Sequence, residues 1–348
     1  MFSKNKKIKI NKILIIGPSW VGDMVMAQSL FKLIKNQDSN IQIDLLAPPH
    51  CEALAQAMPE INNFIKLPFG HGDFSFFARR KFGKSLQDKN YTQAIVLPNS
   101  WKSALIPFFA NIPIRTGYKG EMRYGLLSDI RILNKNILSL MAERFCALGL
   151  EKNFIIPKDF QENFPKPKLS LPESWLKNTE SKFQINSNLP LVSLCPGAEY
   201  GPAKKWPAEH YASIAKSLRE AGYQVWILGT KGDQKDGDLI ASQVPGVVNL
   251  AGKTSLQEAM VILKISSQVI TNDSGLMHIR AAFDLPLIAI FGSTSPKFTP
   301  PLSSKAQVAE ITLGCRPCFK RTCPKEDEEF MKCLKDLSPE IILKNLNI

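Results

Sequence analysis

The sequence predicts an α/β protein of two doubly wound, Rossmann-like domains, and three observations carry that reading. Two glycine-bearing strand-to-helix turns stand in separate halves of the chain: Ile13-Leu14-Ile15-Ile16-Gly17-Pro18-Ser19-Trp20-Val21-Gly22-Asp23 and Val269-Ile270-Thr271-Asn272-Asp273-Ser274-Gly275. In each, a β-branched run stops at small residues and a helical pattern follows, which is where open parallel sheets bind ligands. Short β-branched runs alternate with helical periodicity along the chain, the mark of parallel sheets flanked by helices. Finally, 348 residues suffice for two cores, and 44% apolar with 22% charged residues describes a globular chain. Backbone N–H groups and helix dipoles at such turns favour negative charge. The expectation is therefore a cleft between two domains with phosphate held on one wall.

Taken in order, residues 12–16, 41–46, 63–67 and 94–97 read as strands of a first domain spanning 1–165, with helices around 24–35 and 52–58 between them. Residues 166–190, rich in Pro, Lys, Ser and Asn, read as a linker. The second domain, 191–337, opens with a strand at 191–195. A helix over 207–221 follows, with Pro207 in its first turn and Gly222 just past its end. A strand at 223–228 and a helix at 234–242 come next. Ser255-Leu256-Gln257-Glu258 is a capping box that opens another helix. Strands at 268–271 and 287–291 flank the helix that follows Asp273, and residues 338–348 read as a final helix.

The net charge is +13 and it is uneven. Residues 1–165 hold 22 Lys/Arg against 13 Asp/Glu (+9), and residues 166–348 hold 22 against 18 (+4). The first half therefore suits something anionic, a membrane surface or a phosphorylated substrate, or else its charge serves general solubility. No DNA- or RNA-binding signature is present, so nucleic acid is not expected as a partner. No apolar run approaches the roughly 18–20 residues that span a bilayer. The basic start of the chain, Met1 to Lys12, has no apolar core or cleavage site of a secretory signal. The expected location is the cytoplasm.

Three segments carry chemistry. At the first turn Gly17 and Gly22 have P-loop spacing, but Asp23 occupies the lysine position and would repel a phosphate. A carboxylate there is suited to taking a proton from a substrate hydroxyl, or simply to capping the helix. The second segment, Cys195-Pro196-Gly197-Ala198-Glu199-Tyr200-Gly201-Pro202-Ala203-Lys204-Lys205-Trp206-Pro207, sets two lysines just before a helix, where they can neutralise a diphosphate or face solvent. In the third, Ser274 and Gly275 open a helix and His278 lies one turn beyond Ser274. His278 reads as a ligand contact or a hydrogen-bonded core histidine, and Asp273 as an N-cap with or without a functional role.

Together these segments, with Arg115–Tyr124 and Leu250–Leu256, resemble the ADP-heptose:lipopolysaccharide heptosyltransferases of glycosyltransferase family 9 over roughly residues 12–335. The resemblance implies the GT-B architecture, with the acceptor on the N-terminal domain, the nucleotide-sugar on the C-terminal domain, and both facing the cleft. It implies inverting, metal-independent transfer of heptose from ADP-heptose to a phosphorylated heptosyl-Kdo2-lipid A core at the cytoplasmic face of the inner membrane. Asp23 would be the general base. Lys204, Lys205, Asp273, Ser274, Gly275 and His278 would hold the donor, with Thr254 and the 229–236 loop beside the adenosine. Gly22, Arg79, Arg80, Lys84, Arg115, Lys119 and Arg123 are expected at the acceptor, Lys81 beside them. No cofactor is expected for catalysis. The alternatives are another core acceptor position, a non-hydrolysing nucleotide-sugar epimerase, or a non-catalytic nucleotide- or zinc-binding adaptor.

Seven cysteines are present, four of them clustered as Cys315, Cys318, Cys323 and Cys333. Structural zinc, free thiols and disulfides all remain open for that cluster, although the short Cys318–Cys323 spacing departs from the usual two-knuckle pattern. Cys51, Cys146 and Cys195 are expected to pack as small apolar residues.

Overall fold

The computed structural model describes residues 9–70, 72–185 and 188–346. The basic residues 1–8, two residues of the expected linker (186–187) and the last two of the expected C-terminal helix (347–348) lie outside them. The chain divides into two compact units, Met1–Pro167 and Lys168–Ile348.

The first unit runs β1 (Lys12–Ile16), α1 (Val21–Gln37), β2 (Gln42–Ala47), α2 (Glu52–Gln56), β3 (Asn63–Lys66), α3 (Phe76–Lys84), β4 (Gln93–Val96), α4 (Trp101–Phe109), β5 (Ile114–Tyr118), β6 (Asp129–Arg131), α5 (Met141–Ala147) and α6 (Phe160–Asn163). Its six strands are parallel and ordered β3-β2-β1-β4-β5-β6. The β1 side chains Ile13 to Ile16 are all buried, as a strand covered on both faces requires.

The second unit runs α7 (Glu173–Phe183), β7 (Leu191–Cys195), α8 (Ala208–Glu220), β8 (Gln224–Ile227), α9 (Gln234–Gln243), β9 (Val248–Asn249), α10 (Leu256–Ile265), β10 (Gln268–Asn272), α11 (Gly275–Ala281), β11 (Leu287–Ile290), β12 (Ala306–Ala309), α12 (Lys332–Lys335) and α13 (Pro339–Lys344). Its sheet, also parallel, is ordered β12-β11-β10-β7-β8-β9. Read from the other edge this is the same 3-2-1-4-5-6 winding as the first. Helix α8 shows why such helices form: Tyr211, Ile214, Ala215 and Leu218 recur at helical spacing and all are buried against the sheet.

Residues 166–190 are not a bare linker. Helix α7 buries Trp175 and Thr179, one turn apart, and packs on α10. Lys182 pairs with Glu258 at 2.6 Å, Phe183 meets the Trp226 ring edge-on, and the Leu169 N–H donates to the Ala282 carbonyl at 3.1 Å. The polar composition that suggested a linker is the solvated face of that helix.

Candidate active site

In a doubly wound sheet the order reverses at one place, and loops leaving the two strands there converge beyond their carboxyl ends. In the second unit those strands are β7 and β10, which brings together two loops almost seventy residues apart in sequence. Lys204, in the loop after β7, places its Nζ 2.6 Å from Asp273 Oδ2, just past β10. Thr294 Oγ1 donates to the same oxygen at 2.6 Å. The Asp273 carboxylate is thus held by a cation and a hydroxyl, and in turn holds the Lys204 ammonium at the strand ends. Asn272 completes the joint: its amide donates to the Pro196 carbonyl at 2.6 Å and its Oδ1 accepts from the Trp206 N–H and the Tyr211 hydroxyl.

Ser274 is the N-cap of α11, its hydroxyl accepting from the Met277 N–H at 3.5 Å, so Ser274 rather than Asp273 caps the helix. Gly275 is the first helical residue. One turn on, His278 is buried; burial pushes it down to about 4, Asp273 raising it and Lys204 lowering it further. It is a neutral imidazole at pH 7. Thr254 is half-buried immediately before the capping box that Ser255 and Glu258 form at the start of α10.

Lys205 does not stand beside Lys204 as a second free cation. Its Nζ lies 2.8 Å from Asp233 Oδ1 and 3.0 Å from Asp236 Oδ2. Burial pulls its pKa down, but the bonds to the two carboxylates outweigh this and leave it raised. Asp233 is itself fixed by the Thr230 N–H and hydroxyl. Lys205, expected to support Lys204 at the phosphates, instead ties the 229–236 loop to the strand ends.

The cysteine-rich segment braces the Lys204 loop. The Ala203 N–H donates to the Arg321 carbonyl at 3.0 Å, and the Tyr200 hydroxyl donates to the Phe319 carbonyl at 2.7 Å. Lys204 and Arg321 both lie over the Tyr200 ring. A Cβ on Gly201 would fall 2.5 Å from the Arg321 carbonyl oxygen, so only glycine permits this approach. The four clustered cysteines line one cavity of about 40 Å³. Among the described residues no group of three or more His, Cys, Asp or Glu side chains stands in metal-binding geometry. Burial pushes the Cys51, Cys146 and Cys195 thiols up to about 12, as packed apolar cysteines.

In the first unit the reversal lies between β1 and β4. Asp23 is in the first turn of α1; Trp20, not Asp23, is the N-cap residue. Asp23 and the adjacent Gly22 are half-buried at the carboxyl end of β1. The loop after β4 is pinned by the 119–127 segment. The buried Arg123 guanidinium donates to the Pro98 carbonyl, Asn99 Oδ1 and the Tyr118 carbonyl, and Glu121 Oε2 accepts from the Trp101 N–H at the start of α4. Glu121 and Met122 have φ of 39° and 47°, an uncommon pair of non-glycine residues in the left-handed region. With Lys119 and Tyr124 they line a cavity of about 330 Å³.

Three of the expected acceptor cations bind main-chain carbonyls, Arg79 and Arg123 buried and Arg115 half-buried. Arg123 is spent as just described. Arg115 donates to the Leu126 and Ile112 carbonyls, and the buried Arg79 donates to the Phe74 and Asp73 carbonyls while covering the Phe69 ring. Arg80, Lys81, Lys84 and Lys119 are exposed.

Two six-stranded parallel sheets of identical winding, with charged loops at each point of reversal, define a Rossmann-like α/β protein of the GT-B type. The sequence model of glycosyltransferase family 9 (heptosyltransferase) matches residues 79–328, and the chain belongs to that family; it is a transferase. It is 44% identical over 342 residues, 97% of each chain, to lipopolysaccharide heptosyltransferase 2 of Escherichia coli K12. It is 45% identical to lipooligosaccharide heptosyltransferase 2 of Haemophilus influenzae, over 96% of this chain and 98% of that one. The solved structure of E. coli ADP-heptose LPS heptosyltransferase II superposes with a TM-score of 0.86 at 42% identity, covering 97% of both chains. Thr294, Tyr200 and Arg321 escaped the sequence reading. Thr294 carries no local signal and is brought in only because β11 lies beside β10; the Gly201 step beside Tyr200 was the one hint of close backbone approach.

Proposed function

We propose that this enzyme transfers L-glycero-D-manno-heptose from ADP-heptose to heptosyl-Kdo2-lipid A, adding the second heptose of the lipopolysaccharide inner core. The observation that carries the reading is the 44% identity to a heptosyltransferase 2 across 97% of both chains. Asp23 acts as general base: it takes the proton of the acceptor hydroxyl as that oxygen forms its bond to the heptose anomeric carbon. The anomeric carbon–oxygen bond to the diphosphate breaks on the opposite face, so configuration inverts. The sugar passes through an oxocarbenium-like transition state and ADP leaves with the bonding pair.

Negative charge builds on the departing diphosphate, and Lys204 is the point charge for it. Asp273 and Thr294 position that ammonium. Ser274 and Gly275 offer backbone donors, but α11 is only seven residues long, so its dipole is a lesser contributor than Lys204. His278 is neutral and serves as an apolar wall with one polar edge. Thr254 and the 229–236 loop fixed by Lys205 border the adenosine. The cavity at Lys119, Glu121 and Tyr124 takes sugar of the acceptor. The exposed Arg80 and Lys84 face its anionic groups at the cytoplasmic surface of the inner membrane. No cofactor enters this scheme.

The test is transfer to heptosyl-Kdo2-lipid A followed by mass spectrometry, for wild type and Asp23→Asn. One added heptose, lost in the variant, is expected. Addition to Kdo2-lipid A instead would make this a first-heptose enzyme, and transfer to neither would overturn the reading.

A further inference from the structure

Helix α3 is amphipathic in an unusual sense. Phe77, Arg80, Lys81 and Lys84 stand at i, i+3, i+4 and i+7, so one helical face carries an aromatic ring and three cations. All four are exposed, Phe77 at 78%. The opposite face buries Arg79 and Gly83 against α4. A Cβ at Gly83 would fall 2.7 Å from the Ile106 carbonyl oxygen, so the two helices are locked at close range.

The exposed ring is part of a larger patch. Phe76 meets Phe74, Phe77 and Phe109, Phe74 stacks on Trp101 at 5.9 Å, and Phe109 meets Phe108. Phe74 and Phe108 are 54% and 37% exposed. The loop presenting Phe74 is held in place: Arg79 and Lys102 both donate to the Asp73 carbonyl. Neither α3 nor α4 contains an acidic residue, and residues 76–109 hold six Lys/Arg against one Asp (Asp88), a charge of +5. Asp73, on the loop leading into α3, and Glu121, whose carboxylate accepts from the Trp101 N–H, are the other acids beside this surface.

Isolated exposed rings are ordinary, but a contiguous set of phenylalanines interleaved with lysine and arginine is not. Packing another protein over it would bury the cations beside apolar rings. At a bilayer surface both are satisfied at once: rings enter the acyl boundary while ammonium and guanidinium groups meet lipid phosphates. We infer that the α3–α4 surface is a docking site for an anionic membrane, with Phe74 and Phe77 inserting and Arg80, Lys81 and Lys84 contacting the headgroups. It deepens the proposed function by naming the surface through which a lipid-anchored acceptor is approached, and rests on that reading only for its biological purpose.

Sedimentation of the full-length protein with vesicles of phosphatidylcholine alone, or of phosphatidylcholine mixed with phosphatidylglycerol to give a negative surface potential, tests it. Binding is expected only to the anionic vesicles. Arg80→Gln/Lys81→Gln/Lys84→Gln should lower the partition constant about 100-fold, and Phe77→Ser about tenfold. The control Lys177→Gln/Lys216→Gln/Lys305→Gln, which removes the same charge from exposed positions of the second unit, should keep wild-type binding. Far-ultraviolet circular dichroism establishes that each variant is folded. Equal binding by the α3 variants, no binding by wild type, or capture of single-stranded oligonucleotides in preference to vesicles would overturn the inference. Heptose transfer to a delipidated, soluble acceptor reads the proposed function separately, because it needs no membrane.

Discussion

At the scale of single residues, the proposed donor site turns on one carboxylate and what it holds. Asp273 shares an oxygen between Lys204 and Thr294, each at 2.6 Å. Thr294→Val removes one partner of a buried carboxylate, at a cost of about 1–3 kcal/mol. The Michaelis constant for ADP-heptose should rise about tenfold in steady-state assays, with little change in that of the acceptor. His278 makes a pH prediction. Its folded pKa of about 4 lies below the ordinary 6.5, so the unfolded state binds the extra proton between those values. Stability is therefore full above pH 6.5 and falls as pH drops toward 4, with about 2 kcal/mol lost between pH 7 and 5. Urea denaturation of His278→Gln at both pH values should show that much less pH dependence than wild type. The motifs holding Lys204, Asp273 and His278 were legible because they are contiguous in sequence. Arg79, Arg115 and Arg123 were expected at the acceptor; their guanidinium groups donate to main-chain carbonyls, a use that a count of charges cannot read.

At the scale of elements, strands and helices near the two reversal points were readable. Fully buried parallel strands are short β-branched runs, and α8 and α10 carry an apolar stripe or a capping box. Residues 68–93 and 98–165 gave no such pattern, and α3, α4, β5, β6, α5 and α6 emerge only in the structure. Helix α3 hides its periodicity because its outward face holds Phe77 and its inward face holds Arg79 and Gly83. Helix α7 hides behind its polar face in the same way. Two close approaches between elements are testable. Gly83→Ala forces α3 off the Ile106 carbonyl and should destabilise the first unit by about 1–3 kcal/mol in urea titrations. Gly201→Ala pushes the Lys204 loop from the Arg321 backbone, and its expected signature is weaker ADP binding with the first unit's stability unchanged.

At the scale of the molecule, the proposed division of labour follows charge. Residues 1–167 hold 23 Lys/Arg against 13 Asp/Glu (+10) and residues 168–348 hold 21 against 18 (+3). The unit with the larger positive charge is the one assigned the anionic acceptor, and the nearly neutral one concentrates its useful cation at Lys204. Nucleotide binding should therefore belong to the second unit alone. Calorimetry with ADP is expected to give an unchanged dissociation constant for Asp23→Asn and one at least about tenfold weaker for Lys204→Ala, the size of a lost charge-assisted contact. The most direct measurement of the central claim is single-turnover heptose transfer to heptosyl-Kdo2-lipid A by wild type and Asp23→Asn, each saturated with ADP-heptose. Wild type is expected to add one heptose, and the variant to do so at a rate lower by about 10²–10⁴, the range of a lost general base. Transfer by Asp23→Asn at the wild-type rate would contradict that claim.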